Sequence, residues 1–202
     1  DKKRSPLSIE QIPQPFINAI LAAEDDRFYE HPGVDIKGLA RAASKLVSSG
    51  RIQGGGSTIT MQVARNYLLT LDQTFTRKFK EILLSLQMER ELSKNQILEL
   101  YINKIFLGKR AYGFEAAAQV YYGRSLRDLS LAQWAMLAGL PKAPSALNPI
   151  ANPSRALVRR NWILDRMLGL EYIDEAQHQA AKASPITAKN PGLSLELYAR
   201  YV

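Results

Sequence analysis

Apolar residues return three and four positions apart through most of this 202-residue chain, a period that only a helix gathers onto one face. The chain is therefore read as mostly α. Ile36, Leu39, Ala43, Leu46 and Val47 make one stripe behind Asp35, a residue type that caps helix N-termini. Phe79, Ile82, Leu83 and Leu86 make a second. Further helices are expected where Ser93 is followed by Gln96 and Ser130 by Gln133, the spacing of a capping box. Asn152-Pro153 places a cap and a first-turn proline ahead of Ile163, Leu164, Met167 and Leu168. The period breaks at His31-Pro32-Gly33, from Ser48 to Gly56, around Gly108 to Gly113 and from Leu140 to Pro153.

At roughly 100–200 residues per domain, this length allows one compact domain, or one with a small appended lobe, and no tandem enzyme. Hydrophobic residues at 46% and charged residues at 23% exclude a disordered, low-complexity chain. The absence of cysteine removes disulfides, thiolate nucleophiles and cysteine zinc sites together. A net charge of +8 favours anionic partners, whether nucleic acid, acidic lipid or a phosphorylated substrate, without choosing among them. No apolar run reaches the roughly 18 residues that span a bilayer. The chain opens at Asp1 and stops inside LELYARYV, which still reads as helix, so both ends are expected to be cuts in a longer protein.

Three segments carry candidate chemistry. In EDDRFYEHPG (24–33), Glu24 follows the apolar run Ala19-Ile20-Leu21-Ala22-Ala23. A carboxylate against apolar neighbours has its pKa raised and becomes a useful general base, whereas the plainer reading is a solvated helix end. GGGSTITMQVARN (54–66) runs a glycine-rich loop into Ser57, Thr58 and a helix, where backbone N–H groups can hold a phosphate or carboxylate. An ordinary capped helix would look the same. In RKFKE (77–81), Arg77 and Glu81 pair at i,i+4 with Lys78 and Lys80 beside them. On a surface such a pair is worth only about 0.2–0.5 kcal/mol. Turned to a cleft it supplies the cations and second carboxylate that a diphosphate leaving group or its metal requires.

Together these segments resemble the peptidoglycan glycosyltransferases of family 51, the polymerase half of class A penicillin-binding proteins, with the Gram-negative bifunctional enzymes as the nearest look. Five motifs occur in order: EDDRFYEHPG matches ED-x-x-F-x-x-H-x-G, and GGSTITMQ (55–62) matches GGSTITQQ. RKFKE matches RK-x-x-E, KNQILELYINKIFLG (94–108) matches K-x-x-I-L-E-x-Y-x-N-x-x-x-x-G, and RRNWIL (159–164) matches R-x-x-x-V-L, beginning at Arg159. The resemblance implies a lysozyme-like helical head with a small, membrane-associated jaw lobe at about 35–51, within one glycosyltransferase domain spanning 1–202.

The implied reaction polymerises lipid II into linear β-1,4 glycan. The donor is an undecaprenyl-diphosphate-linked strand, the acceptor is the GlcNAc 4-hydroxyl of lipid II, and the sugar C1 inverts. Glu24 corresponds to the general base and Glu81 to the second catalytic glutamate. Ser57, Thr58, Gln62, Arg65, Asn66, Arg77, Lys78 and Lys142 correspond to the substrate site, with Glu115 added to it. Asp25, Phe28, His31 and Gly33 are expected to shape the first motif, and Glu99, Tyr101, Asn103 and Arg159 to support the later ones. The resemblance admits a divalent cation, magnesium or manganese, at Glu81, and implies no organic cofactor. It further implies the membrane surface as a partner, the periplasmic face of the inner membrane as location with an anchor outside this chain, and moenomycin as inhibitor. The S-x-x-K, S-x-N and K-T-G constellation of a transpeptidase is missing here and belongs to a domain expected in the full-length chain.

Met61 stands where the family usually has its first glutamine, and a thioether cannot donate the hydrogen bonds an amide can. Arg65 replaces the commoner lysine. A lysozyme-type hydrolase is the enzyme rival, sharing fold and carboxylates but with no use for Arg65, Arg77, Lys78 and Lys142 around a diphosphate. A nucleic-acid binding module is suggested only by charge, and no recognisable motif interleaves aromatics with the scattered basic residues.

Overall fold

The structure, a computed structural model, describes residues 6–38, 40, 56–68 and 75–189. Its helices are α1 (Gln14–Glu24), α2 (Ile59–Tyr67), α3 (Phe75–Glu91), α4 (Lys94–Lys104), α5 (Phe114–Tyr122), α6 (Leu131–Ala138), α7 (Pro153–Gly169) and α8 (Glu175–Ala183), with short 3-10 turns at Ile9–Gln11, Leu126–Asp128 and Leu140–Lys142. Among the described residues the extended pairing is one antiparallel bridge between Phe106 and Tyr112. The mostly α expectation holds. No helix of the described residues is long and apolar enough to cross a membrane. The expected jaw lobe at 35–51 lies, beyond 35–38 and residue 40, outside the described residues, as do Leu39, Ala43, Leu46 and Val47 of its stripe. Ile36 is described and exposed.

The chain forms two compact units, one of residues 1–23 and 106–202, the other of residues 24–105. In the first, α1 buries Phe16, Ile17, Ala19, Ile20, Leu21, Ala22 and Ala23 and keeps only a narrow polar strip at its start, where Gln14 Nε2 donates to Asn18 Oδ1 at 2.9 Å. Each large side chain so buried contributes about 1.5–3 kcal/mol. Phe16 meets Phe114 of α5 edge to face at 4.9 Å. The carbonyls that close α1 have no partner within the helix, and α7 supplies one for two of them: Arg166 Nε donates to Ala22 O at 2.7 Å and Arg159 Nη2 to Ala23 O at 3.1 Å. Trp162 lies between these guanidiniums, 4.2 Å from Arg159 and 5.3 Å from Arg166. Arg160, on the opposite face, donates to Ser184 O at 2.7 Å and Lys182 O at 2.9 Å and so ties down the end of α8.

Both serine capping boxes form, Ser93 with Gln96 and Ser130 with Gln133. A third, Asp174 with Gln177, starts α8 and carries the same spacing in the sequence. Asn152 precedes α7 and Pro153 is its first residue, but the Asn152 side chain does not cap; its amide donates to Ser145 O at 3.1 Å. Asn148 Oδ1 takes up the turn instead, accepting from Ile150 N and Ala151 N.

In the second unit α2 packs on α3 and α4. The helix expected through Phe79, Ile82, Leu83 and Leu86 forms as α3, yet its apolar stripe does not face inward. Phe79 is 61% and Leu83 51% exposed, while Glu81, Ser85 and Met88 are buried. A charged and a hydroxyl side chain occupy the inner face because each finds a polar partner there: Glu81 meets Arg65 of α2, and Ser85 Oγ donates back to Glu81 O of its own helix at 2.6 Å.

Candidate active site

Glu24 is the last residue of α1 and is half-buried. The loop that follows it is built from buried polar groups. His31 Nδ1 accepts from Gly33 N at 3.1 Å, which places the ring proton on Nε2, and Nε2 donates to both Asp25 oxygens at 2.9 and 3.0 Å. Asp25 Oδ2 also accepts from Ile59 N, the first amide of α2, at 3.0 Å. Thr58 caps α2 by accepting from Met61 N at 3.1 Å and donates to Gly33 O at 2.6 Å. Gly33 has φ +92°, and a Cβ there would stand 2.9 Å from Glu89 Cγ and 3.1 Å from Ser85 O, so only glycine fits. The first two motifs are thereby one structure. Asp25, His31, Gly33 and Thr58 hold the loop to the start of α2, and Phe28 is fully buried beneath it.

With α2 fixed, its polar face presents Gln62 and Arg65 one turn apart. Gln62 Nε2 donates to Glu24 Oε2 at 2.9 Å, orienting that carboxylate. Arg65 reaches Glu81 on α3, with Nε at 2.9 Å from Oε1 and Nη2 at 3.3 Å from Oε2. Lys78 Nζ donates to Glu81 Oε2 at 3.2 Å and to Ser57 Oγ at 2.8 Å, and Arg77 Nε lies 3.4 Å from Glu81 Oε1. Three cations thus converge on one carboxylate whose own exposure is 1%, while Arg65 and Lys78 remain 45% and 43% exposed. Burial pushes the Glu81 carboxyl upward, but the hydrogen bonds and charges of Arg65 and then Lys78 outweigh it and hold the group below its ordinary value. The result is a fixed anion inside a cluster of net positive charge whose cationic side chains remain partly exposed.

The other sequence candidates fall as follows. Asn66 is exposed at the end of α2. Glu115 and Lys142 belong to the other unit. Lys142 is exposed, whereas the Glu115 carboxylate accepts from Leu126 N at 2.9 Å and from Ser125 Oγ and Gln119 Nε2 at 3.3 Å, the geometry of a brace between α5 and the turn after it. On α4, Tyr101 is fully buried, Glu99 is half-buried and Asn103 donates to Glu99 O at 2.9 Å. Arg159 closes α1 as described. Met61 is 2% exposed and packs into the core, an environment that suits a thioether. Sequence reasoning missed Glu89, Thr60 and Arg166. Lys94 stood in a quoted motif, but nothing in its spacing announced a contact with His31 O, 63 positions away.

As to a divalent cation, the donor set at Glu81 does not suit one. Its two oxygens are taken by three cations, and among the described residues no group of three or more His, Asp or Glu side chains could hold a metal ion.

Residues 1–168 match the family model described as Transglycosylase. Penicillin-binding protein 1A of Pseudomonas aeruginosa is 59% identical over the whole chain, which covers 25% of that protein. Penicillin-binding protein 1A of Neisseria gonorrhoeae is 54% identical over 90% of the chain and 23% of the relative. The crystal structure of penicillin-binding protein 1A from Haemophilus influenzae superposes with a TM-score of 0.56 at 29% identity, over 98% of this chain and 21% of that one. The chain therefore spans about a quarter of the length of the curated relatives it matches. On the extent of these matches and the motifs its site is built from, the chain belongs to the transglycosylase family and is similar to part of penicillin-binding protein 1A.

Proposed function

We propose that this chain extends glycan strands from lipid II, transferring a strand from an undecaprenyl-diphosphate donor to the 4-hydroxyl of the lipid II GlcNAc. Glu24 takes the hydroxyl proton as that oxygen attacks the donor C1 from the face opposite the diphosphate. The C1–O bond to diphosphate breaks with its electron pair, and the sugar inverts. Arg65, Arg77 and Lys78 balance the charge that develops on the leaving group, and Ser57 lines its approach ahead of α2, whereas Thr58, expected beside it, is buried with its hydroxyl committed to Gly33 O and Met61 N. Glu81 keeps the three cations together.

The observation that carries this reading is the convergence of three cations on one buried carboxylate, in the same unit as a carboxylate oriented by an amide. A hydrolase of sugars has no need of such a cluster. Exposed Ile36, Phe79 and Leu83 give that unit an apolar surface, which supports contact with the membrane that carries the lipid substrate. Replacing Phe79 and Leu83 with Ser then weakens liposome binding. The names of the relatives support a penicillin-binding region elsewhere in the full-length protein, and the motif resemblance adds the periplasmic face of the inner membrane as its place.

The deciding experiment gives the chain two substrates in parallel. Lengthening of strands from lipid II, with preformed strands left intact, supports the polymerase. Shortening of preformed strands, with lipid II unconsumed, supports the hydrolase and overturns this reading.

A further inference from the structure

Glu89 and Lys94 form an ion pair at 2.8 Å that the mechanism above does not use. Each sits at the wrong end of its helix. Glu89 is in the last turn of α3, where the dipole favours a cation, and Lys94 is the first residue of α4, where it favours an anion. Local electrostatics would exchange the two. What keeps them is visible in their other contacts.

Glu89 Oε1 accepts from Thr60 Oγ1 of α2 at 2.6 Å. Lys94 Nζ donates to His31 O at 2.6 Å and stands 4.5 Å from the centroid of the buried Phe28 ring. The Glu89 side chain also lies against Gly33, leaving no room for a Cβ. One pair, with side chains 9% and 20% exposed, therefore grips the 25–33 loop and α2 at once. That loop begins at the residue after Glu24, and α2 carries Gln62, the amide that holds the Glu24 carboxylate.

We propose that Glu89 and Lys94 are positioning residues, a clamp that sets the Glu24 carboxylate against the Gln62 amide by fixing the two segments that carry them. The inference rests on Glu24 being the base. Were the pair only a tie between α3 and α4, any ion pair of either polarity would serve.

The charge swap Glu89→Lys with Lys94→Glu separates these cases. It keeps an ion pair and suits both helix dipoles. It leaves position 94 with no donor for His31 O and position 89 with no acceptor for the Thr60 hydroxyl. The expected result is a melting temperature close to that of the parent chain, with amide exchange at Gly33, Ile59 and Met61 faster by about tenfold or more. The kcat for lipid II falls by about 10²-fold, the scale of a small misplacement of a reacting group, while KM is unchanged. Glu89→Gln and Lys94→Met behave alike, and their double variant is no worse than the poorer single, as members of one unit should be. These singles carry the test if the swap does not fold. Unchanged exchange and kcat in the swap, or losses that multiply in the double variant, overturn the clamp. Absence of any polymerisation by the parent chain overturns the proposed function, and the exchange rates, which need no substrate, still decide the clamp.

Discussion

Glu81 and Arg160 are equally buried, each 1% exposed, and lie in different units of the chain. Their partners differ in kind. Arg160 donates through both terminal nitrogens to the carbonyls of Lys182 and Ser184, groups that are part of the backbone and cannot turn toward anything else, and through Nε to the neutral amide of Asn161 at 3.1 Å. Glu81 meets Arg65 and Lys78, long cationic side chains that stay nearly half exposed. A buried charge satisfied by backbone closes a structure, whereas one satisfied by exposed counter-charges leaves valence for a ligand. Asp25, His31, Thr58, Thr60, Glu81 and Ser85 are buried polar groups of the 24–105 unit, against Asn148 and Arg160 in the other, among the described residues.

The largest effect that would break this comparison is on chemistry alone. Glu24→Gln keeps the shape and the contact with Gln62 but removes the base, and kcat for lipid II is expected to fall by about 10²–10⁴-fold with the melting temperature unchanged. Next, Arg160→Met leaves the Lys182 and Ser184 carbonyls without donors and costs about 1–3 kcal/mol of stability, read as a lower melting temperature. Activity per folded molecule stays at the parent level, since Arg160 serves only structure.

Next comes the turn enclosed by the Phe106–Tyr112 bridge, where Lys109 and Arg110 sit at φ 45° and 58°, a conformation that L side chains adopt at a cost. Lys109→Asn with Arg110→Gly should raise stability by about 1–2 kcal/mol, measured by chemical denaturation.

The smallest effect is a matter of pH. The Glu81 carboxyl is held below its ordinary value of 4.5, so the unfolded chain binds its proton first. The stability this confers is fully present above that value and is lost as pH falls through the lowered one. In melts taken from neutral pH into acid, Glu81→Gln should lose part of the acid sensitivity below about 4.5, and an unaltered acid limb would show that the three cations do not stabilise the carboxylate.

How far the sequence could be read follows the same division. Local signals were sufficient for Ser93-Gln96, Ser130-Gln133 and Pro153, because caps depend on neighbours a few positions away. The association of Ser57, Arg65, Arg77, Lys78 and Glu81 could be anticipated from their motifs, since each residue type fits one task in handling a diphosphate. The orientation of α3 could not, because a stripe at helical spacing says that a helix exists and not which face its neighbours will cover. Nor could the closing of α1 by Arg159 and Arg166, or the grip of Lys94 on His31. These join positions 63 to 144 apart, and only the folded chain brings them together. Asn152 shows the converse, where a favourable cap residue finds a carbonyl and a neighbouring asparagine takes the turn.

The most direct test of the account is the affinity of Glu24→Gln and of Arg65→Met for a lipid-linked diphosphate donor, measured side by side by titration. If the carboxylate does chemistry and the cation cluster holds the leaving group, Glu24→Gln binds the donor as tightly as the parent chain without turning it over, and Arg65→Met binds it more weakly. Equal loss of affinity in both, or undiminished affinity in Arg65→Met, would contradict that division of labour.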